Sequence, residues 1–317
     1  MKILVTGANG FLGKSITKEL SKDINEIIFV THNISNDSFA VGEIDENTIW
    51  ADILSDCDVV IHLAARVHKM HDDSLNPLSD FRRINTAGTI NLARQAMNAG
   101  VKRFIFISSI KVNGEESDFP YSEMSEPNPS DAYAISKWEA ELGLNQLSQD
   151  GEMEIVIIRP PLIYGPGVKA NFASMIKWVR RGLPLPFGSI NNKRSMVAVE
   201  NLVDFIMLCA DRTKSPKAAN QTFLISDGAD VSITELLNNV RAAYGTVMPL
   251  IPIPGSWLKF TLNLIGKSEL SSRLLGSLTV DISKARNLLG WEPKIDMLTQ
   301  LRKMAANKLK NKFVSQN

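Results

Sequence analysis

Residues 6–13 read Thr-Gly-Ala-Asn-Gly-Phe-Leu-Gly, and they directly follow the short apolar run Lys2-Ile-Leu-Val-Thr6. An apolar, β-branched run of this length is typical of a buried parallel strand. The residues from Phe11 to Leu20 have the spacing of an amphipathic helix. The chain is therefore predicted to open with a strand, a glycine-rich turn and a helix.

The glycines of this turn have separate predicted roles. Gly7 permits the tight turn, Gly10 lets a pyrophosphate approach the backbone, and Gly13 lets the helix pack closely on the strand. The helix N-terminus then faces the phosphates. The spacing is one residue longer at its start than the usual fingerprint, but its position between a strand and a helix supports a dinucleotide-binding turn.

Length and composition indicate an ordinary globular protein. The chain has 317 residues, of which 44% are hydrophobic and 22% are charged, which suits one large or two modest domains. The net charge of +1 argues against a broad electrostatic hold on nucleic acid or on an anionic membrane.

The two cysteines and the chain start bear on location. Cys57 and Cys209 lie in apolar contexts and are predicted to be reduced packing residues, with no metal site and no disulfide. No secretory signal precedes the first strand, and no apolar stretch approaches the roughly 20 residues that span a bilayer. The cytoplasm is the expected location.

Further strands and helices alternate along the chain. Apolar runs predict strands at 27–31, 59–65, 103–109 and 155–159, with a long helical segment at 79–99. This alternation predicts an α/β fold with a doubly wound parallel sheet. A helix at 200–211 and a strand at 222–226 are expected to return to that sheet.

The predicted domain division follows from this pattern. Residues 1–167 would form the dinucleotide-binding domain, to which 196–227 return. Residues 168–195 and 228–317 would form a smaller C-terminal lobe that binds the substrate, with a capped helix at 281–290. Within this lobe, residues 256–265 are conspicuously apolar, and we interpret them as core or lid rather than as a lipid-surface patch.

The end of the second strand bears on the cofactor. An acid there would hold the ribose 2′-hydroxyl of NAD, but the chain reads Thr31-His32-Asn33, and the next acid is Asp37. Nothing at this strand end would repel a 2′-phosphate, and His32 or Lys22 is placed to meet one. The sequence therefore allows NADP as well as NAD.

Tyr133-Ala-Ile-Ser-Lys137 opens a helical pattern that Ser130 or Asp131 can cap. Residues four apart share one face of a helix, so the phenol and the ammonium stand one turn apart. A nearby ammonium lowers the phenol pKa from about 10, which suits proton exchange with a carbinol oxygen. Taken alone, the pair also fits a surface tyrosine beside a solvated lysine.

Ser109 stands at a predicted strand end, where open α/β sheets bind ligands, whereas Asp52 precedes the strand predicted at 59–65. Ser109 follows the strand at 103–109 and is placed beside Tyr133, although a loop-capping role is the alternative. Asp52 is placed to meet an adenine amino group or, equally well, to cap a helix at 53–57.

Together these pieces resemble the extended short-chain dehydrogenase/reductase family of sugar-nucleotide epimerases, dehydratases and reductases, from residue 2 to about 293. That resemblance implies a Rossmann fold. The motifs that carry it are TGANGFLG at 6–13, AD at 51–52, HLAA at 62–65, Ser108-Ser109 before Val112-Asn113-Gly114, YAISK at 133–137, RPPLIYGPG at 159–167 and LLGWEP at 288–293.

The resemblance implies roles at matching positions. Lys137 would hold the nicotinamide ribose and tune Tyr133, while Ser109 would bond the reacting sugar oxygen. The implied cofactor-binding set is Gly7, Asn9, Gly10, Phe11, Leu12, Gly13, Thr31, His32, Asp52, Ile53, Leu63, Ala64, Ala65, Asn85, Ser108, Tyr133, Lys137 and Pro160. The implied substrate-binding set is Ser109, Lys111, Tyr133, Asn171, Phe187 and Arg194.

Within the substrate set, Asn171 and Arg194 would meet the diphosphate of a nucleotide sugar, and Phe187 would flank its base. A guanidinium fork suits phosphate oxygens. The alternatives are a helix cap for Asn171 and a solvated loop charge for Arg194. A dehydrogenase of small alcohols or flavonoid-like ketones would need neither residue.

Departures from the family pattern bear on the reaction. Dehydratases of the family place an Asp-Glu pair where this chain has Ile110 and Lys111, which makes dehydration an unfavoured reaction. The asparagine that contacts the diphosphate in many 4-epimerases is Leu162 here, and Asn113 replaces a common tyrosine. The string at 108–114, taken with RPPLIYGPGVKANF at 159–172, resembles the branch that includes reductases of UDP-linked 4-keto-6-deoxy-N-acetylhexosamines. This resemblance favours reduction of a 4-keto UDP-hexose or UDP-N-acetylhexosamine.

Alternatives to that reductase remain open. The first is a UDP-glucose or UDP-GlcNAc 4-epimerase with bound NAD, and a remote one is a non-catalytic dinucleotide sensor. The resemblance also makes a homodimer plausible, with the helices near 79–99 and 132–149 packed as a four-helix bundle.

Overall fold

The structure is a computed structural model and describes residues 1–20, 26–32, 39–67, 76–266 and 268–314. Its strands are β1 (Lys2–Thr6), β2 (Glu26–Thr31), β3 (Phe39–Ala40), β4 (Val59–His62), β5 (Arg103–Ile107), β6 (Glu154–Arg159), β7 (Leu162–Tyr164), β8 (Met196–Ala198) and β9 (Gln221–Leu224). Its α-helices are α1 (Phe11–Leu20), α2 (Pro77–Phe81), α3 (Thr89–Asn98), α4 (Ala132–Asp150), α5 (Ala170–Arg180), α6 (Val199–Ala210), α7 (Ile233–Tyr244), α8 (Gly255–Leu264), α9 (Ser268–Leu275), α10 (Ser283–Leu289) and α11 (Met297–Val314).

The main sheet has the strand order β3-β2-β1-β4-β5-β6-β9, and the pairs within it are parallel. The chain moves outward from β1 to β3, then crosses back to β4 on the other side of β1. The crevice at the carboxyl ends of β1 and β4 is therefore the switch point where ligands bind in such sheets. The predicted doubly wound parallel sheet is confirmed. A separate parallel pair joins β7 to β8.

Alternate residues of the strands serve two different cores. Ile3 and Val5 point into a cluster that includes α1 and α6, whereas Leu4 between them belongs to a cluster that includes α3 and α4. Burial on both faces explains why these strands read as continuous apolar runs instead of alternating patterns.

The helix predicted at 79–99 is divided into three parts. α2 leads into a π-helical segment at Arg82–Gly88, and α3 follows. A Cβ on Gly88 would lie 2.8 Å from the carbonyl oxygen of Ile44, so the close approach at this turn requires glycine. π-Helical turns occur frequently at functional sites, and this one contains Asn85.

Two predicted strands end earlier than expected. β4 ends at His62 rather than at residue 65, and β5 ends at Ile107 rather than at Ser109. Residues 63–65 and both serines therefore lie in the loops that leave the sheet at its carboxyl edge. The short strand β3 was not predicted, because two residues carry no readable pattern.

A third core cluster lies outside the main sheet. It joins residues of α5, α7 and α11 around Tyr164 and Met196, and Leu258 of α8 packs against it. We refer to α5, segments 183–195 and 246–254, α7, α8 and α9 as the small lobe. The domain boundary near residue 167 stays a prediction.

The apolar segment at 256–265 forms α8, and the core interpretation of it is wrong. No residue of α8 is buried, and Trp257 is 71% exposed. An apolar run with helical spacing does not by itself distinguish a core helix from one whose apolar face lies on the surface. Among the described residues, no helix has the length and apolar character needed to cross a bilayer.

Candidate active site

The glycine-rich turn brings β1, β4 and α1 into close contact. Gly7 has a φ of +71°, and a Cβ there would lie 2.8 Å from the amide nitrogen of Ala64. A Cβ on Gly13 would lie 2.2 Å from the Gly7 carbonyl oxygen, so α1 packs against the turn itself. Gly10 has only the Gly7 oxygen, at 3.1 Å, near its Cβ position. The side of the turn at Gly10 is therefore the open one.

The first turn of α1 offers donors to an anion. In the described part of the chain, nothing accepts a hydrogen bond from the amides of Phe11 and Leu12. Asn9 and Gly10 are exposed beside them. Free amides and the positive end of a helix dipole favour a phosphate group at this place. These residues therefore fit a dinucleotide pyrophosphate, and that contact stays a prediction.

A buried hydrogen-bond chain fixes the ends of β1 and β4. The amides of Leu63 and Ala64 each donate to Thr6 Oγ1 at 3.2 Å, and Thr6 Oγ1 lies 2.7 Å from His62 Nδ1. His62 Nε2 lies 3.0 Å from Thr89 Oγ1, which donates onward to a backbone carbonyl. This directionality assigns the proton to Nε2. Burial, aided by the charge of nearby Lys137, lowers the His62 pKa to about 3, so the ring is neutral.

Asn85 ties the loop after β4 to α4. Its Oδ1 accepts from the Arg66 amide at 2.8 Å, and its Nδ2 donates to the Arg66 carbonyl at 3.1 Å and to Ser136 Oγ at 3.0 Å. The Asn85 side chain is fully buried. Its amide is thus committed to shaping the loop at 63–66, which leaves no free donor for the cofactor contact implied by the resemblance.

Lys137 is held inside the protein, where its side chain is only 1% exposed. Its ammonium donates to the Ile107 carbonyl at 2.9 Å and lies 4.4 Å from the centre of the Phe106 ring. Burial lowers the Lys137 pKa to about 7, and the carboxylate of Glu141 opposes that change. An ammonium has three donors, and only one has a partner among the described residues. Two donors therefore remain for a ligand such as ribose hydroxyls.

Tyr133 opens the same helix, with Asp131 as the residue that caps it. Its ring stacks edge-on against Phe81 with a centroid distance of 6.2 Å, and its hydroxyl has no hydrogen-bond partner in the described part of the protein. Desolvation, followed by the charge of Asp131, raises the Tyr133 pKa to about 12. The predicted lowering by Lys137 is therefore wrong for the protein alone, because burial and the Asp131 carboxylate raise the pKa of the phenol and keep it protonated.

Ser109 and Lys111 belong to the loop that leaves β5. Ser109 Oγ accepts from the Lys111 amide at 3.2 Å, and its own proton has no acceptor among the described residues. The Lys111 ammonium bonds Asp131 at 2.5 Å and Glu115 at 2.6 Å. Lys111 therefore fastens this loop to the start of α4, and a substrate contact from it would have to break two ion pairs.

A buried ion pair that the sequence analysis missed lies behind this loop. Glu141 bonds the guanidinium of Arg159, with Oε2 to Nη2 at 2.5 Å, and also accepts from the Ser108 hydroxyl. Arg159 Nη1 donates to Asn113 Oδ1 at 3.0 Å. Because its hydroxyl is used here, the Ser108 side chain supports the site from inside. Glu141 lies four residues after Lys137 on one helix face, and that spacing was the available signal.

The remaining cofactor positions lie around the edge of the crevice. Thr31 is buried, whereas His32 and Asp52 are exposed. Neither Ile53 nor Pro160 is exposed. Lys22 and Asp37, which bear on the choice between NAD and NADP, lie outside the described residues. Cofactor contacts at these positions stay predictions.

The predicted substrate residues of the small lobe differ in exposure and in which of their polar groups already have hydrogen-bond partners. Arg194 Nη1 donates to the Gly276 carbonyl at 2.9 Å, and its other guanidinium donors have no partner among the described residues. Burial lowers the Arg194 pKa, against the opposing charges of Glu116 and Glu115. Asn171 is exposed and does not cap α5, while Phe187 is half-buried. No hydrogen bond or ion pair joins Asn171, Phe187 and Arg194 to one another.

The two cysteines add no chemistry to the candidate site. Burial raises the pKa of Cys57 to about 11 and that of Cys209 to about 12, and both thiols are free. Within the described ranges, no group of three His, Cys, Asp or Glu side chains is placed to hold a metal ion.

A cleft of about 940 Å³ lies at the opposite edge of the sheet, beside Val59 and Lys102, and contains none of the predicted site residues.

Comparison with known proteins places this site in a family. Residues 3–225 match the model of the NAD dependent epimerase/dehydratase family. The chain belongs to the NAD-dependent epimerase/dehydratase family. It is also 48% identical over 299 residues to a UDP-glucose 4-epimerase from Vibrio cholerae, covering 92% of this chain and 90% of that protein. The predicted resemblance is thus confirmed, and the family description supports NAD as the dinucleotide.

Solved structures of family members agree with the fold. The UDP-glucose 4-epimerase of Thermotoga maritima with UDP-glucose superposes with a TM-score of 0.76 at 23% identity, over 98% of this chain and 99% of that one. The UDP-glucuronic acid 4-epimerase of Bacillus cereus in complex with NAD gives 0.78 at 22% identity, with the same coverage. At these identities the likeness confirms the Rossmann-type architecture alone.

Proposed function

We propose that this protein is a UDP-sugar 4-epimerase, which interconverts the two C4 epimers of a UDP-linked hexose with NAD retained between turnovers. The observation that carries the proposal is the 48% identity to the Vibrio cholerae UDP-glucose 4-epimerase across 92% of the chain. This relative supports the epimerase alternative better than the 4-keto reductase that the sequence pattern favoured.

The geometry around Tyr133 suits a reversible proton transfer at the C4 oxygen. The Tyr133 hydroxyl has no partner within the described residues, and Ser109 Oγ has a proton to donate at the carboxyl edge of the sheet. When bound, NAD supplies the reversible two-electron oxidation that makes C4 trigonal. Tyr133 would take the C4 hydroxyl proton and later return it, while Ser109 orients that oxygen.

Lys137 would set the proton affinity of Tyr133 and position the cofactor. The phenol has a pKa of about 12 in the protein alone, so it must be lowered before it acts as a base at neutral pH. Opposite charge nearby favours the phenolate. We infer that the Lys137 ammonium, once its two free donors are bonded to ribose hydroxyls, stays charged and provides part of that lowering. The rest would come from the positive ring of oxidised nicotinamide.

Epimerisation requires the C4 carbonyl to present both faces without leaving the site. We propose that Arg194 holds the diphosphate by its free guanidinium donors, so that the hexose can turn about that anchor. Burial of Arg194 strengthens a contact with phosphate because screening by water is reduced. Asn171 and Phe187 would complete the site at the diphosphate and the base.

Turnover without added cofactor tests the proposal. Purified protein is incubated with UDP-glucose or UDP-GlcNAc alone, and the products are followed by proton NMR. We expect the C4 epimer to form until equilibrium, and we expect Tyr133→Phe to slow its formation by about 10²–10⁴-fold. Mass spectrometry of the retained nucleotide should identify NAD.

A reductase is the second candidate, because the end of β2 offers Thr31 and His32 instead of an acid for the ribose. It predicts the opposite pattern: no change in either UDP-sugar, but consumption of NADPH with a UDP-linked 4-keto sugar. That pattern would replace the epimerase assignment.

A further inference from the structure

The helix α8 exposes a large apolar surface. Trp257, Phe260, Leu264 and Ile265 are between 63% and 71% exposed, although each is a side chain that folding normally buries. Leu258 packs against the small-lobe core and so fixes the helix in place. Exposed apolar side chains grouped in this way mark a contact with something outside the chain.

The elements next to α8 extend this surface. Segment 183–190 is bonded to segment 249–254, with Leu185 and Ile251 exchanging backbone bonds with their partners at 2.8–3.0 Å. Segment 249–254 leads directly into α8. Leu183 and Ile251 are exposed on these segments, Val247 is exposed shortly before segment 249–254, and Trp178 is exposed near the end of α5. We name these four residues, together with Trp257, Phe260, Leu264 and Ile265, the α8 surface.

The two segments that carry the α8 surface contain basic residues and no acidic ones, although Glu269 follows them at the start of α9. Residues 168–199 and 236–266 contain no Asp or Glu, whereas the whole chain has 35 basic and 34 acidic residues. The basic residues of these two ranges are Lys169, Lys177, Arg180, Arg181, Lys193, Arg194, Arg241 and Lys259. The Arg181 guanidinium lies 5.5 Å from the exposed Trp178 ring. The chain therefore contains a locally basic region although its net charge is only +1.

We propose that the α8 surface docks this protein on an anionic lipid bilayer. Exposed Trp, Phe and Leu with Lys and Arg around them are the features of a helix that lies in the membrane interface. Each basic residue near an anionic membrane adds about five-fold in affinity, at roughly 1 kcal/mol. A second copy of the chain fits this surface less well, because two such basic regions would repel one another.

Membrane docking through this surface would overturn the expectation drawn from the net charge, and it lies beyond the proposed function. It concerns a surface of the small lobe that contains none of the cofactor residues. The epimerase reaction and membrane docking can therefore fail independently of each other. Phe187, in the segment next to α8, places the base end of the substrate site on the docked side of the protein.

Flotation with lipid vesicles tests the proposal. The purified full chain is mixed with vesicles of phosphatidylcholine alone or with added phosphatidylglycerol, and bound protein is measured after a density gradient. We expect binding to the anionic vesicles and weaker binding at high salt. The double variant Trp257→Ser, Phe260→Ser should bind roughly ten- to hundred-fold more weakly, since two interfacial aromatic anchors are removed.

A matched control separates docking from general stickiness. Phe119 is 79% exposed and lies outside the small lobe, so Phe119→Ser should bind vesicles as the natural chain does. Thermal melting of the double variant, followed by circular dichroism, reports whether it is folded. The proposal is overturned by absent vesicle binding, by binding that the double variant retains, or by a dimer in light scattering that the double variant dissociates.

Discussion

Replacing Lys137 by methionine should make the protein inactive but more stable. The ammonium is buried at 1% exposure and has the Ile107 carbonyl, 2.9 Å away, as its hydrogen-bond acceptor. Phe106 lies against it at 4.4 Å. Burial lowers the Lys137 pKa from 10.5 to about 7, so the folded protein holds this proton less tightly than the unfolded chain does. A buried ammonium that holds its proton so weakly destabilises the fold, and we therefore expect it to be needed for the protein's function.

The size of this cost follows from proton linkage. At about 1.4 kcal/mol for each tenfold change in proton affinity, a pKa of about 7 instead of 10.5 destabilises the fold by about 5 kcal/mol below pH 7. Between pH 7 and 10.5 the unfolded natural chain binds more protons than the folded one, so its free energy of unfolding rises with pH. Below pH 7 Lys137 is protonated in both states. Losing the Ile107 hydrogen bond costs about 1 kcal/mol. We therefore expect Lys137→Met to gain about 1–4 kcal/mol at pH 7.

Denaturant midpoints and melting temperatures at pH 6, 7 and 9, measured on protein freed of dinucleotide, check this prediction. The advantage of Lys137→Met should shrink by about 2 kcal/mol between pH 7 and 9, or roughly 3 °C for a chain of this size. Lys217→Met, on an exposed residue, should show no such pH dependence. A variant that is less stable at every pH, or whose difference from the natural chain does not vary with pH, would refute the reasoning.

Three further predictions concern the turn and the helix α4. Tyr133→Phe should lower turnover by about 10²–10⁴-fold with NAD content unchanged, measured by NMR and mass spectrometry; a loss below about ten-fold would contradict its role. Gly13→Ala places a Cβ 2.2 Å from the Gly7 carbonyl oxygen, so the purified variant should melt lower and lose its NAD. Glu141→Gln leaves the buried Arg159 guanidinium without its anion and should cost about 3–5 kcal/mol in denaturant unfolding, whereas an unchanged midpoint would show the pair to be dispensable.

The local parts of the fold were predictable from the sequence. β1, the glycine turn and α1 follow one another within 20 residues, and each carries its own pattern. The alternation of strands and helices then fixed the parallel sheet, because parallel strands require crossover connections. The same logic placed Ser109 and Tyr133 at the carboxyl edge of that sheet.

Contacts between distant residues were not predictable in this way. His62 bonds Thr6 and Thr89, which lie 56 and 27 residues from it, and no periodic pattern links them. The pKa of Tyr133 depends on how completely the folded chain encloses the phenol, which a spacing rule does not measure. For residues 256–265, the apolar run was evident in the sequence, but it did not show whether these side chains meet core or solvent.

A structure of the protein crystallised with NAD and UDP tests the central claim most directly. The account predicts the pyrophosphate on the amides of Phe11 and Leu12, and the Lys137 ammonium within about 3.2 Å of a nicotinamide ribose hydroxyl. It also predicts the Tyr133 oxygen beside the nicotinamide ring and the UDP diphosphate against Arg194. A dinucleotide bound away from the Gly7–Gly13 turn, or a Tyr133 oxygen remote from its ring, would contradict the account.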